Sequence, residues 1–360
     1  MKEDFEEHGY IMVRGLLDHD ELEKVKVALE DNDAIRKHAF GVADGKGRES
    51  MMALWNHPGS DVTGMVGRCE KIVNTCEKYS PDFQPSDKMK EDFEEHGYIM
   101  VRGLLDHDEL EKVKVALEDN DAIRKHAFGV ADGKGRESMM ALWNHPGSDV
   151  TGMVGRCEKI VNTCEKLLGG EVYHYHTKLM MKEPFTGGSH LWHQDYGYWY
   201  KNGCLYPDMM TVFIAIDKIT KENGCLQILR GSQNCGRIEH IMVGGQTGAD
   251  MERVNQLKKV LKLEYVEMEP GDALFFHSNL LHTSNANDSK YRRWAFLCAY
   301  NKKSNDPTIK HHHPCYTPLE KVPNNAIKEC INFNDISGKD FMDPTKDKTI
   351  KVKPKEEETN

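Results

Sequence analysis

An internal repeat constrains the fold of this chain more than any other feature. Residues 1–78 recur without a single change as residues 89–166, an offset of 88. Repeat architectures stack three or more diverged units, so two identical copies do not predict a solenoid. The second copy continues into an apolar region from Glu171, whereas the turn-rich segment 79–88 follows the first. We therefore interpret residues 1–78 as an incomplete copy, from an exon duplication or a gene-model artefact; a functional extra module is the alternative.

The repeat determines the predicted domain organisation. Without the first copy, one continuous region remains that is long enough to bury a single large core. We predict a duplicated helical segment over 1–78, a linker over 79–88 and one large domain over 89–335. Residues 336–360 are rich in charge and have little apolar surface to bury, so we predict a disordered tail there.

Charge and cysteine content exclude several classes of protein. The 58 acidic and 48 basic residues give a net charge of −10, which repels phosphate backbones and argues against a nucleic-acid partner. No run of 18 apolar residues is present, so we expect no membrane span. Ten cysteines without a Cys-x-x-Cys pair indicate reduced thiols. We expect a cytoplasmic monomer that acts on a small molecule, with a swapped dimer through the duplicated segment as the alternative.

Helical patterns dominate the repeat, and strand patterns dominate the chain after Glu171. In the second copy, one helix is predicted to begin after Asp106, and another is predicted over 149–166. Segments rich in Val, Ile, Tyr and Phe predict strands over 97–103, 172–181, 210–217, 225–229, 273–277 and 294–300. Helices followed by many short strands argue against βαβ units. They indicate a mainly β protein with α-helices, an antiparallel jelly roll buttressed by N-terminal helices.

The motif His193-Gln194-Asp195 carries the most chemical information. If this segment is extended, the side chains of His193 and Asp195 lie on one face and can reach a common point. They would then supply two of the three ligands of a 2-His-1-carboxylate facial triad, which leaves other coordination positions open. The motif alone is a weak signal, because about one His-x-Asp is expected by chance in a chain with this many histidines.

A second segment strengthens the metal-site hypothesis. Residues 269–284 predict a turn and a buried strand, with His282 placed where the strand has ended. Arg293 lies eleven residues further on and opens an apolar strand. A buried arginine is costly unless a carboxylate pairs with it, and its guanidinium suits the distal carboxylate of a dicarboxylic acid. One small acid could chelate a metal at one end and meet Arg293 at the other.

Taken together, these segments resemble the phytanoyl-CoA dioxygenase family over residues 92–320. That family comprises iron(II)- and 2-oxoglutarate-dependent oxygenases on a double-stranded β-helix, a cupin-like jelly roll. The resemblance rests on these motifs: Leu191–Asp195, Asn223-Gly-Cys-Leu, Arg230-Gly-Ser, Glu269-Pro-Gly-Asp, Phe275-Phe-His, and His282 followed by Arg293.

The resemblance implies roles for individual residues. His193, Asp195 and His282 would bind iron(II), and Arg293 would bind the C5 carboxylate of 2-oxoglutarate. Ser284, two residues after His282, matches a family position that also touches 2-oxoglutarate.

Three further positions take their expected roles from the same resemblance. Lys178 and Phe213 align with positions that line the cosubstrate site, where the phytanoyl-CoA enzyme has Met and Trp, so both depart from the family in residue type. Trp199 matches an aromatic residue that contacts substrate in ectoine hydroxylase, which this stretch also resembles. Iron(II), 2-oxoglutarate and O2 are the implied cofactor and cosubstrates, and ascorbate is a candidate reductant.

Other candidates have simpler interpretations. We expect His277 to pack at the end of its strand rather than to bind metal, and Arg292 to point away from Arg293 towards solvent. Residues 311–313 resemble a metal tag, but a loop near the mouth of the site or a solvent-facing segment is the preferred interpretation. The pair His174 and His176 has no suitably spaced carboxylate or third ligand.

The resulting functional hypothesis is hydroxylation of a C–H bond in an unidentified small molecule. Halogenation requires a halide where the carboxylate ligand stands, and Asp195 fills that position. A catalytically silent jelly-roll binding protein of the same family is the alternative from another class.

Overall fold

A computed structural model describes residues 17, 19–30, 39–43, 49–53, 83–118, 121–243 and 246–343. All structural statements below concern these residues. They belong to two compact units, residues 1–78 and residues 79–360, and each unit is described by itself. Among the described residues, no helix is long and apolar enough to cross a membrane.

In the first unit, the described residues form one helix and one hairpin. These elements are α1 (His19–Glu30), β1 (Ala39–Ala43) and β2 (Glu49–Ala53). The hairpin pairs Phe40 with Met52. Within the described residues, β2 pairs with β1 alone.

The second unit contains most of the described secondary structure. Its helices are α2 (Asp87–His96), α3 (His107–Glu118), α4 (Asp121–Lys125), α5 (Val150–Arg156), α6 (Glu158–Leu168), α7 (Asp195–Trp199), α8 (Met251–Leu257) and α9 (Ala326–Glu329). Its strands are β3 (Tyr98–Val101), β4 (Phe128–Ala131), β5 (Glu137–Asn144), β6 (Val172–Lys182), β7 (His190–His193), β8 (Met209–Ala215), β9 (Leu226–Leu229), β10 (His240–Val243), β11 (Gln246–Ala249), β12 (Leu263–Val266), β13 (Ala273–His277), β14 (His282–Ser284), β15 (Arg293–Lys302) and β16 (Asp340–Phe341).

The two identical sequences form the same local structure but differ in burial. Helix α3 repeats α1, and the hairpin of β4 and β5 pairs Phe128 with Met140 in the register of β1 and β2. Leu110 on α3 is only 4% exposed, whereas Leu22 at the same position of α1 is 43% exposed. Local sequence therefore sets the helix, and the surrounding chain decides whether its apolar face is covered.

Two antiparallel sheets form the centre of the second unit. The larger has the order β16-β5-β6-β15-β8-β13-β3, with β4 also paired to β5, and the smaller has the order β12-β9-β14-β7. Phe213, Leu274 and Ala295 of the larger sheet pack against Leu226 and Ile228 of the smaller one. Neighbouring strands far apart in sequence, packed as two sheets, make a jelly roll. The predicted fold class is thereby confirmed.

Helices cover the outer face of the larger sheet. The apolar face of α6 packs through Ile160 and Val161 into the cluster that contains Phe275 and Phe296. Instead of the single helix predicted over 149–166, the chain forms α5 and α6 with a break at Cys157, where ψ is 142°. The break arises because the backbone there bonds to Val322, a contact that local periodicity cannot reveal.

The folded domain extends beyond both predicted boundaries. Ser86 caps α2, so two residues of the predicted linker are helical, and Phe83 packs on the core. At the other end, Phe341 pairs with Trp143 of β5, and the buried Lys339 lies 2.8 Å from Asp149. The part of the predicted tail from 336 to 343 therefore belongs to the domain, since it buries apolar surface and an ion pair. Residues 79–82 and 344–360 lie outside the described residues.

Candidate active site

Three side chains converge where the smaller sheet meets helix α7. His193 ends β7, Asp195 begins α7 and His282 begins β14. Nε2 of His193 lies 3.9 Å from Oδ1 of Asp195, and Nε2 of His282 lies 4.0 Å from the same oxygen. One ligand atom of each residue lies within 4.8 Å of the other two, so the three could hold one metal ion.

Hydrogen bonds orient the three side chains toward a common point. Nδ1 of His193 donates to the carbonyl of Leu191 (2.7 Å), and Nδ1 of His282 donates to the carbonyl of Leu280 (2.9 Å). This tautomer leaves both Nε2 lone pairs available for a metal. The hydroxyl of Thr211 donates to Oδ2 of Asp195 (2.6 Å), which leaves Oδ1 facing the imidazoles.

The protonation states of the three side chains suit metal binding. Burial, reinforced by the neighbouring His282, lowers the pKa of His193 to about 3, and burial also lowers the pKa of His282. Burial would raise the pKa of Asp195, but its electrostatic interactions with His282 and Lys178 and the hydrogen bond from Thr211 lower it overall. At neutral pH the site therefore offers two neutral imidazoles and one carboxylate, the forms that coordinate metals.

Gln194 fixes the backbone between two of these residues. Its amide donates to the carbonyls of Gly236 and Asn279 (both 2.8 Å), and its carbonyl accepts from the backbone of Ile238 (2.7 Å). The N–H of Gln194 also donates to Nε2 of the buried His240 (3.0 Å). The loop that carries the His-x-Asp motif is thus tied to two other segments, residues 236–240 and the turn at Asn279.

The local conformation at the triad differs from the expectation drawn from sequence. The motif is not one extended strand, because the chain turns into α7 at Asp195. His282 lies beyond the end of β13, as expected, but it begins a further strand, β14, opposite His193 of β7. Both differences come from the smaller sheet, whose short strands carry too few residues for a clear alternating pattern.

The structure separates His277 from the triad. Its Nδ1 accepts from the backbone of Asn279 (3.0 Å), and its ring packs 5.8 Å from that of Phe93. Burial lowers its pKa to about 4. This packing agrees with the predicted strand-end role.

A second polar cluster lies at one end of β15, on the inner face of the larger sheet, which is the face turned toward the smaller sheet. Arg293 is 2% exposed, donates to the carbonyl of Gly224 (3.0 Å) and lies 5.9 Å from the ring of Phe213. Lys182 faces it across the β6–β15 pair and donates to the hydroxyl of Ser284 (2.8 Å). Burial lowers the pKa of Arg293 to about 10. Among the described residues, no carboxylate forms an ion pair with either cation, so this end of the site suits an anion.

Lys182 is the site residue that sequence reasoning missed. It is fully buried, and burial and the charge of Arg293 place its pKa well below the ordinary value. A lysine directly after the apolar run Leu179, Met180 and Met181 was the available signal. Its register opposite Arg293 could be read only from the sheet.

Arg292 points away from Arg293, as predicted, but it does not simply face solvent. Its guanidinium pairs with Asp217 at 3.1 Å and with Glu118. Substitution of Arg292 therefore removes two ion pairs at the surface.

Aromatic rings form a wall beside the triad. Trp199 is buried, and its ring lies 5.5 Å from that of Tyr175 and 5.6 Å from that of His176. His313 packs 4.7 Å from His176 and bonds to Asn144. His176 therefore lies on the inner face of β6, within this aromatic wall, and it is not in the group of three residues that could hold a metal ion. His313, the last residue of the 311–313 segment, is buried beside it.

His174 and Lys178 occupy different faces of β6. A register shift beside His174 turns this residue outward, where its Nε2 bonds to Thr177 (2.7 Å). Lys178 pairs with Leu297, which in turn pairs with Phe213, so Lys178 and Phe213 lie in one row of the inner face.

Comparison with known proteins identifies the family. A model described as phytanoyl-CoA dioxygenase (PhyH) matches residues 93–295, more than half of the chain. The chain belongs to the phytanoyl-CoA dioxygenase family. The resemblance inferred from the motifs is thereby confirmed, and so is the expected enzyme class, an iron(II)- and 2-oxoglutarate-dependent dioxygenase.

Several curated proteins are similar to part of this sequence. L-proline trans-4-hydroxylase of Streptomyces griseoviridis is 31% identical over 208 residues, which cover 52% of this chain and 74% of that protein. Ectoine dioxygenase of Halomonas elongata is 26% identical, covering 59% of this chain and 69% of that protein. EctD from S. alaskensis, solved with 2-oxoglutarate and 5-hydroxyectoine, superposes with a TM-score of 0.56 at 20% identity over 69% of this chain and 91% of that one.

Proposed function

We propose that this member of the phytanoyl-CoA dioxygenase family hydroxylates a C–H bond of a small molecule. When bound, iron(II) with 2-oxoglutarate and O2 supplies the oxidant: one oxygen atom enters the substrate, and the cosubstrate leaves as succinate and CO2. The convergence of His193, Asp195 and His282 is the observation that carries this proposal. Two neutral imidazoles and one carboxylate are the donor set of non-haem iron(II) oxygenases.

The remaining side chains of the site have proposed roles in binding the cosubstrate and the substrate. Arg293 and Ser284 would hold the C5 carboxylate of 2-oxoglutarate, with Lys182 beside them. Phe213 packs next to the guanidinium and, with Lys178, would line the cosubstrate site. EctD, which has the same fold, was solved with 2-oxoglutarate, and this supports 2-oxoglutarate as the cosubstrate.

Trp199 is the proposed substrate contact. Its buried ring forms the aromatic wall with Tyr175 and His176, next to the helix that begins with Asp195. An apolar wall of this kind holds a small molecule and excludes water from the reacting position.

Hydroxylation is favoured over halogenation because Asp195 is present and bonded to Thr211. We expect Asp195→Gly to lose hydroxylation and to gain at most a trace of chlorination. Chlorinated product from the unchanged protein would contradict the hydroxylase proposal.

The test of function is succinate release by the full-length protein. The assay supplies iron(II), ascorbate and 2-oxoglutarate, with a panel of L-proline, ectoine and other amino acids, amines and acyl thioesters. Substrate-dependent succinate together with a product heavier by one oxygen atom supports the proposal. Binding of 2-oxoglutarate without any turnover would favour the silent-homologue alternative, whereas absence of iron-dependent 2-oxoglutarate binding would contradict both.

A further inference from the structure

Thr211 is the single polar residue in a strand that is otherwise apolar. Strand β8 has the sequence Met-Met-Thr-Val-Phe-Ile-Ala, and all of its residues are buried. A buried hydroxyl is costly unless it forms a hydrogen bond, and this one donates to Oδ2 of Asp195 at 2.6 Å. Among the described residues, no other group donates a hydrogen bond to that carboxylate. Thr211 therefore links the larger sheet to one of the three proposed metal ligands.

The hydroxyl of Thr211 is held in place by the strand that carries it. β8 is an interior strand of the larger sheet, and Thr211 pairs with Phe276 of β13 on one side and with Ala299 of β15 on the other. The branched Cβ of threonine also restricts rotation of the side chain about χ1. The hydrogen-bond donor is therefore fixed before any metal or ligand binds.

The backbone beside Asp195 is tied to the same strand. The N–H of Tyr196 donates to the carbonyl of Ser278 (3.0 Å), and the N–H of Ser278 donates to the carbonyl of Met209 (3.0 Å), the first residue of β8. Asp195 is thus anchored to β8 twice, once through the backbone of its neighbour and once through its own carboxylate. These two attachments determine the orientation of the carboxylate.

The two carboxylate oxygens of Asp195 have different surroundings. Oδ1 lies 3.9 Å from Nε2 of His193 and 4.0 Å from Nε2 of His282, so this oxygen faces the point where the three side chains converge. Oδ2 accepts the short, charge-assisted hydrogen bond from Thr211. Coordination of one metal ion by both oxygens would break that bond and leave the buried hydroxyl without its partner. The hydrogen bond therefore favours coordination through Oδ1 alone.

The number of oxygens that Asp195 supplies decides how many coordination positions stay open. An octahedral metal has six positions, and a facial triad that uses one atom of each residue fills three of them. A 2-oxo acid chelates through two oxygen atoms, which leaves one position for O2. Coordination through both oxygens of Asp195 would fill that last position.

We propose that Thr211 is a positioning residue whose hydrogen bond keeps Asp195 a one-oxygen ligand and thereby keeps the coordination position for O2 open. This inference rests on the proposed function and adds to its site a residue that acts through Asp195. Loss of the hydroxyl should therefore impair access of O2, whereas the affinities for the metal and for 2-oxoglutarate should change little.

The first experiment measures the open position without turnover, with nitric oxide as the probe in place of O2. The full-length protein is loaded with iron(II) and 2-oxoglutarate in the absence of O2, and nitric oxide binding is followed by electron paramagnetic resonance. Thr211→Val and Thr211→Ala lack the hydroxyl, and both should bind nitric oxide roughly 10- to 100-fold more weakly, the equivalent of one charge-assisted hydrogen bond. Thr211→Ser retains the hydroxyl and should stay within about 3-fold of the unchanged protein.

Thr177→Val is the matched control for the loss of a buried hydroxyl. Thr177 is also buried, but its hydroxyl bonds to Nε2 of His174 (2.7 Å) on the outer face of the sheet. This variant should bind iron(II), 2-oxoglutarate and nitric oxide as the unchanged protein does, and circular dichroism checks the fold of every variant.

Three results of the first experiment would overturn the proposal. One is nitric oxide binding by Thr211→Val that equals that of the unchanged protein. Another is a loss in Thr211→Ala that Thr211→Val does not share, because the cause would then be a cavity and not the missing hydroxyl. The third is a fall of iron(II) affinity by more than about 100-fold in Thr211→Val, since Thr211 would then support the ligand set as a whole.

The second experiment separates O2 from the cosubstrate in the succinate assay. Thr211→Val should raise the KM for O2 roughly 10-fold or more and leave the KM for 2-oxoglutarate within about 3-fold, whereas Arg293→Leu should show the reverse pattern. An equal rise of both KM values in Thr211→Val would contradict the assigned role. Failure of the unchanged protein to bind 2-oxoglutarate with iron(II) would instead refute the proposed function.

Discussion

Arg293 and Lys182 lie opposite each other on strands β15 and β6, both buried, and neither forms an ion pair with a described carboxylate. Two neighbouring cations in the interior repel one another, and burial lowers the pKa of both side chains. The arrangement is stabilised when an anion binds between them. The proposed anchor for the cosubstrate is therefore also a local source of instability in the ligand-free protein.

We expect Arg293→Leu to raise the KM for 2-oxoglutarate roughly 10- to 100-fold, because a charge-assisted hydrogen bond contributes about 1.5–3 kcal/mol. The same substitution should raise the unfolding free energy of the ligand-free protein or leave it unchanged. Steady-state kinetics and urea denaturation measure the two effects.

Arg292→Leu is the control for that substitution. It should leave the KM unchanged and lower stability slightly, since it breaks the pairs with Asp217 and Glu118. Equal effects on KM from the two substitutions would mean that the register of β15 is wrong.

Replacement of any triad residue should remove iron. His193→Ala, Asp195→Ala and His282→Ala each delete one of the three donor groups. Loss of a residue that only orients a metal ligand lowers metal affinity by up to about 100-fold, so we expect loss of a ligand itself to lower iron(II) affinity by more than that. Metal content after dialysis and circular dichroism report binding and fold. His277→Ala should keep its iron. If His277→Ala loses iron while His282→Ala retains it, the third metal ligand is His277 and not His282.

The metal-free protein should lose stability as the pH falls from about 6.5. Burial first, and then Lys339 and His145, lower the pKa of His174 from 6.5 to about 3, and burial lowers that of His240 to about 4. The unfolded chain therefore binds protons that the folded chain does not. The stabilising contribution is complete above pH 6.5 and is lost as the pH falls toward the folded values, by about 1.4 kcal/mol per pH unit for each histidine.

The matched variant for the pH experiment is His174→Gln. Its unfolding free energy is measured in urea at pH 7, 6 and 5. It should fall less steeply with decreasing pH than that of the unchanged protein, by up to about 1.4 kcal/mol per pH unit, because one fewer proton is bound on unfolding. Parallel slopes for the two proteins would show that His174 is already protonated or solvated in the folded state.

The sequence predicted the elements with long patterns and the residues with distinctive spacing. Strand β13 was predicted over its full length, and most of β6 and β15 was predicted as well, because their apolar runs are long. The short strand β14 was missed, although it carries His282, since three residues show no periodicity. Lys182 was missed because its importance depends on its neighbour across the sheet.

Deletion of residues 1–78 should leave iron binding and turnover unchanged. The triad and Arg293 lie in the second unit, and the exposed apolar side chains of α1, Leu22 and Leu29 among them, are removed with the first. We expect higher solubility by sedimentation and equal kcat. An inactive but folded deletion variant would show that the first copy is a working part of the enzyme.

Deletion of residues 1–88 is the more informative comparison. It also removes Ser86, whose side chain accepts from the backbone of Met89, and Asp87, which pairs with Lys166. Loss of the helix cap should cost about 1 kcal/mol of unfolding free energy. Equal stability of the two deletion variants would show that the cap contributes nothing.

The burial difference between Leu22 and Leu110 also bears on how the repeated segment tolerates mutation. Leu110→Ala should cost about 2–5 kcal/mol in a chain without residues 1–78, because it leaves a cavity beneath α3. The full-length chain carries an intact second version of the same helix, with Leu22 still in place. If α1 can replace α3 at the docking surface, the full-length chain would tolerate Leu110→Ala better than the chain without residues 1–78. Core substitutions in the repeated segment would then accumulate without penalty until both copies carried one.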